Sequence, residues 1–176
     1  LEDPHLSSQL RSAASMTIDS LAEEQTAPLK ELLLALRHEE TREEALRDLR
    51  ALEPGLTDWL EPTLYSSLVP TMVSGGTSPH SHPTSVQLQC NARLLPGQDV
   101  DDVEQELKRR VEGIEGVALE LVEEASSSES AIDTPLFHVI EDLYRELMPG
   151  VRVVPWLLGG ATDVRFLRAP ERTVYG

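Results

Sequence analysis

Two adjacent glycines, Gly159-Gly160, close an apolar run rich in β-branched residues (151–158), and Thr162-Asp163 follow them. A residue without a Cβ lets backbone N–H groups turn toward a ligand and approach it closely. Thr162 and Asp163 stand where a helix carrying Phe166 and Leu167 would start. A strand that ends in such a turn and feeds a helix is where open α/β sheets place small anionic ligands. The same turn also serves as an ordinary strand–helix connection, and the residues alone leave both readings open.

A second block carries a positive charge. Val86, Leu88, Cys90, Ala92 and Leu94 alternate with Gln87, Gln89, Asn91 and Arg93. That is period two, a half-buried antiparallel strand with one apolar and one polar face, stopped by Pro96-Gly97. Arg93 on the polar face is either solvated, paired with one of the many acids, or a fixed fork for a carboxylate. His80 and His82 are two residues apart, so on an extended segment both imidazoles face one way. No third ligand is near in sequence, and a two-histidine site is weak. Cys90, on the apolar side, reads as a small buried hydrophobe.

The elements that must position these groups follow from periodicity. Residues 6–24 read as a helix with Leu10, Ala14, Ile18 and Leu21 on one stripe, broken by Ala27-Pro28. Residues 29–40 read as a second helix centred on Leu32, Leu33 and Leu36. Thr41 to Glu44 has the form of a capping box before a third helix with Ala45, Leu46, Leu49 and Leu52. Trp59, Leu60 and Leu64 suggest a short helix or packed loop. Strands are expected at 70–75 and 84–95, then a helix capped by Asp99, then a strand at 117–122 closed by Glu123-Glu124. The polar stretch 125–130 reads as a linker, after which Thr134 caps and Pro135 opens another helix. The expected domain division is a helical part, 1–69, a sheet-and-helix part, 70–125, and a partial α/β segment, 126–176.

These blocks together resemble the zinc-dependent peptidase family of glutamate carboxypeptidase, aminoacylase, acetylornithine deacetylase and succinyl-diaminopimelate desuccinylase. The resemblance rests on Pro70 to Gly76, on Asn91 to Asp99, on Gly159 to Phe166 and on Thr173 to Gly176, in that order. It implies an α+β lid: an antiparallel sheet with helices on one face, preceded by helices and followed by a partial α/β segment of a catalytic domain. The first strand of such a lid is not evident in the sequence. The resemblance further implies hydrolysis of an amide bond next to a free carboxylate, with zinc in the parent family, a small N-acyl amino acid or peptide as substrate, and a homodimer formed through the lid.

By the same resemblance Arg93 reaches the substrate carboxylate, and Gly159, Gly160 and Thr162 line the substrate site. His80, thirteen positions before Arg93, stands where the family has an asparagine that helps bind substrate, often across a dimer. A histidine can donate the same hydrogen bond, but its charge depends on pH. No catalytic residue and no metal ligand is assigned. The family's early ligands need His and Asp two residues apart, and none of the five histidines has that neighbour. Glu39-Glu40 reads as a solvated helix face. The expectation is therefore a fragment or truncated relative of such a hydrolase, inactive alone. The rival reading is a non-catalytic dimerisation or interaction module.

Composition limits the partners. The 176 residues carry a net charge of −16, with 40% apolar and 26% charged residues, as expected of a soluble globular chain. That charge argues against nucleic acid and anionic membranes. One cysteine excludes an intrachain disulfide framework, and no long apolar span is present. Cytoplasm is the default expectation.

Overall fold

The structure, a computed structural model, describes residues 5–8 (backbone only), 10–122, 127–160, 162–167, 169 and 172–175. It is an α+β fold with a small antiparallel sheet flanked by helices.

Helices α1 (Ser12–Glu23), α2 (Leu29–Ala35), α3 (Glu39–Leu52) and α4 (Pro54–Leu60) pack in sequence against one another. Their apolar stripes meet in one core of Ile18, Leu33, Leu36, Leu49, Leu60 and Leu64. Arg42 is buried at 4% exposure, and its Nε donates to the Leu36 carbonyl at 2.8 Å. That carbonyl lies at the C-terminal end of α2, where a cation answers both the spare acceptor and the helix dipole.

A 3-10 turn, Glu61–Thr63, leads from α4 into β2 (Tyr65–Gly75). β1 (His5–Ser8) pairs with the start of β2 only, and β3 (Val86–Arg93) pairs along its whole length, giving the order β1-β2-β3. Leu68 is buried, but every residue of β2 from Val69 onward is exposed, and so is all of β3 except half-buried Cys90. β2 and β3 therefore leave the core as a two-stranded arm. A ladder slip between Pro70 and Met72 bulges β2, and the Thr71 hydroxyl donates to the Gln89 carbonyl there at 3.2 Å.

Two further helices carry the rest. α5 (Val100–Arg110) opens with a reciprocal cap, Asp99 with Asp102, each side chain accepting the other's N–H at 3.1 Å. α6 (Pro135–Leu147) opens with Thr134, whose hydroxyl accepts the Phe137 N–H. Thr134 also bonds the Tyr175 hydroxyl at 2.6 Å, and Tyr175 donates onward to the Ala131 carbonyl. Tyr175 stands edge-on to Phe137, which ties the end of the chain to the start of α6.

Several expectations need correction. The first helix begins at Ser12 rather than residue 6, because residues 5–8 form the first strand of the sheet. The second helix stops at Ala35 and α3 starts at Glu39, so Thr41 is inside a helix; its hydroxyl donates to the Ala35 carbonyl instead of capping. Residues 117–122 are not a strand, although their apolar residues alternate, and 151–158 is extended without ladder bonds. Period two marks a chain able to pair, but pairing needs an edge within reach. Cys90 is half-buried rather than buried, because the arm has no cover on that face. Glu123, Glu124, Ala125 and Ser126 lie outside the described residues.

Two measurements check this account. Leu49→Ala, fully buried among the helices, should lower unfolding free energy by about 2–5 kcal/mol in a urea titration. On α5, hydrogen bonds from Arg109 and then Arg110 hold the Glu106 carboxyl at about 2. Its contribution is present above the ordinary carboxylate range and is lost as pH falls toward 2. Glu106→Gln should therefore cost about 1 kcal/mol or less at neutral pH, and the gap to wild type should close between pH 4.5 and 2.

Candidate functional site

β-strand alternation puts Ser67 and Val69 of β2 on the same face as Asn91 and Arg93 of β3, in the register Ser67↔Arg93 and Val69↔Asn91. With Thr71 at the bulge they line an open groove of about 470 Å³. Its polar groups are two hydroxyls, one amide and one guanidinium, and no Asp or Glu lines it. Among the described residues Arg93 forms no ion pair. Such a donor set suits a carboxylate, whose two oxygens accept from a planar guanidinium.

The double-glycine turn arrives beside it. Residues 151–160 cross the helical core: the fully buried Thr17 hydroxyl bonds the Ala13 carbonyl (3.0 Å) and the Pro155 carbonyl. Trp156 and Leu157 pack on the core, and Arg152 pairs with Glu23 of α1. A Cβ added at Gly159 would lie 2.8 Å from Pro62 Cβ and 3.9 Å from Arg93 Nη1. The first distance excludes a side chain; the second places the turn at the edge of the groove. Gly160 has nothing within 4 Å, so only the first glycine is required by close approach.

Thr162 is half-buried, and its hydroxyl accepts the Val164 N–H at 3.0 Å, capping a 3-10 turn, Asp163–Phe166, in place of the expected helix. Ala161 and the Arg165 side chain lie outside the described residues. His80 and His82 sit in the exposed loop 76–85 at the far end of the arm. Seven residues of strand rise from Val86 to Arg93 put that loop roughly 23 Å from Arg93. The structure thus brings Arg93 and Gly159 together and leaves His80 apart.

Asn91, Ser67 and Thr71 were missed in the sequence. Asn91 shares the alternation that singled out Arg93, and that signal was available. Ser67 was not legible while β2 was expected to begin at residue 70. Elsewhere, His138 of α6 stands between two acids. Hydrogen bonds to Asp133 (2.9 Å) and then Glu141 (3.2 Å) raise its pKa above the ordinary histidine value, at an exposed position on α6 far in sequence from the groove.

Among the described residues no group of three or more His, Cys, Asp or Glu could hold a metal ion. The described residues do not fit a zinc centre. No helix among them is long and apolar enough to cross a membrane. Residues 13–116, more than half the chain, match the peptidase dimerisation domain. No curated protein and no solved structure matches the chain.

The two glycines should separate by mutation. Gly159→Ala must push Pro62 away, costing about 1–3 kcal/mol in chemical denaturation, whereas Gly160→Ala should stay within about 0.5 kcal/mol of wild type.

Proposed function

The chain belongs to the peptidase dimerisation domain family, part of the zinc-dependent peptidases and amidohydrolases that the sequence resembles, and from that premise we propose that it is a lid that pairs two copies and presents Arg93 to a substrate carboxylate. The observation that supports pairing is the β2–β3 arm. From residue 62 to residue 92 the sequence contains no Asp, Glu, Lys or Arg. Val69, Met72, Val73, Val86 and Leu88 of the arm are exposed. Natural sheet edges that must stay single are guarded by charge, and this edge has no such guard. An isolated two-stranded ribbon is marginal in water, whereas two arms joined by a twofold axis would form a wider sheet and cover each other's apolar side chains. Two bodies of charge −16 would then meet through the part of each that is uncharged.

The proposed ligand is a small N-acyl amino acid or peptide, its carboxylate on Arg93, with Gly159, Gly160 and Thr162 along the rim. In the parent hydrolase, zinc would activate the water that attacks the amide; the described residues supply the carboxylate-binding side of such a site and none of its metal ligands. His80, distant from the groove of its own chain, is assigned to a partner copy's groove. The three-part division at 69–70 and 125–126 is kept within the same proposal. The alternative, a dimerisation module with no substrate, shares the arm and differs only at Arg93.

Sedimentation equilibrium should give a dimer mass for the chain. Val73→Glu and Leu88→Lys, each placing charge on the exposed arm, should shift the dissociation constant upward by at least tenfold without unfolding the helices. A wild-type monomer at every concentration up to hundreds of micromolar would remove the pairing. N-acetylalanine that binds the wild type but not Arg93→Ala would favour the lid over the module without substrate.

A further inference from the structure

Two contacts, spaced three residues apart on each of two chain segments, hold the double-glycine turn. Trp59 of α4 lies face to face with Trp156, ring centroids 3.5 Å apart and planes within 8°. Three residues further along each segment, Pro62 meets Gly159. With Pro155 bonded to Thr17 and Leu157 on the core, these two contacts at matched spacing set where the end of the crossing segment sits along 59–62. Residues 63–66 are buried to between 0 and 6% exposure, and Ser67 beyond them is the strand partner of Arg93. A single rigid stretch therefore carries the platform for the turn and the neighbour of the guanidinium.

Trp59 has no other evident task. Its ring is 47% exposed, while Leu60 beside it, fully buried, anchors α4 to the core. It does not line the groove. Superposed rings are not the arrangement their quadrupoles prefer, since offset or edge-on pairs are better. The stack is held by the chain positions on either side of it, so the ring acts as a spacer that sets how far the crossing segment sits from α4.

We propose that Trp59 is a positioning residue of the Arg93 groove: by stacking on Trp156 it seats Gly159 against Pro62 and beside Arg93, without touching the ligand. The affinity part of this inference rests on the carboxylate reading of the groove; the seating of Gly159 does not.

The test uses the whole chain labelled with ¹⁵N in glycine and arginine. In ligand-free protein, Trp59→Ala should displace the Gly159 amide and Arg93 Nε resonances while helix content by circular dichroism is unchanged. Trp59→Phe, which can still stack, should return both toward wild type. With N-acetylalanine as probe, Trp59→Ala should weaken binding about three- to tenfold and Trp59→Phe much less. A Gly159 resonance unmoved in Trp59→Ala overturns the proposal. If that variant does not fold, Trp59→Leu keeps an apolar side chain that cannot stack, and the same resonance decides in the same way. If N-acetylalanine leaves the Arg93 signal of wild type unchanged, the carboxylate reading fails, and displacement of Gly159 in the ligand-free variants still decides the seating.

Discussion

Pro62 and Gly159 approach so closely that no side chain fits between them, and the placement of the groove's rim follows from that contact. The apolar run 151–158 has the composition of a strand but no ladder partner in the fold. It meets the need to bury apolar surface in another way, by laying Trp156 and Leu157 on the helical core and giving the Pro155 carbonyl to the buried Thr17 hydroxyl. The run can end beside Arg93 only because residue 159 contributes no Cβ. Proline on the other side is equally fitting, since its fixed φ holds the 3-10 turn that starts β2.

The helical part and the arm obey opposite rules. α1 to α4 bury their stripes almost completely, with Ile18, Leu33, Leu36 and Leu49 all at 0% exposure. The arm buries nothing beyond Leu68 on β2. A helix bundle with a dry core can hold a sheet that lacks a core of its own, provided the sheet is rooted in it, and Tyr65, Ser66 and Leu68 supply that root. Stability and interaction surface are thus separated along the chain, with residues 65–68 as the joint. The groups the arm leaves unpaired at its edge are those that a second strand would satisfy.

What could be read from the residues was what local chemistry dictates. Asp99 and Thr134 cap α5 and α6 as their hydroxyl or carboxylate geometry requires, Pro135 opens α6, and period two marked β3 with Arg93 on its polar side. β1 was read as helix because Leu6 and Leu10 extend the apolar spacing of α1, and nothing in that spacing shows that an open edge of β2 waits nearby. Residues 117–122 failed in the opposite sense, with strand alternation present and no ladder formed. The pairing of Gly159 with Pro62 joins residues nearly a hundred positions apart, so only the fold reveals it. The family resemblance singled out Gly159 and Arg93 separately, and their adjacency is geometry that no spacing encodes.

The proposed anion site has to work within a strongly acidic chain. At physiological salt the Debye length is about 8 Å, so exposed acids farther than that from the groove are largely screened from it. What a carboxylate meets at contact distance is Arg93, Asn91, Ser67 and Thr71, with no acid among the lining residues. Some of the thirty-one acids find local partners: Glu106 with Arg109 and Arg110, Asp58 and Glu61 with Arg50, Asp19 with Arg37. Seven of the fifteen Lys and Arg form such pairs among the described residues. Among the described residues Arg93 forms no ion pair, and the stretch 62–92 that leads up to it holds no acid, so the feature that leaves the arm's edge unguarded also keeps acids out of the guanidinium's own strand.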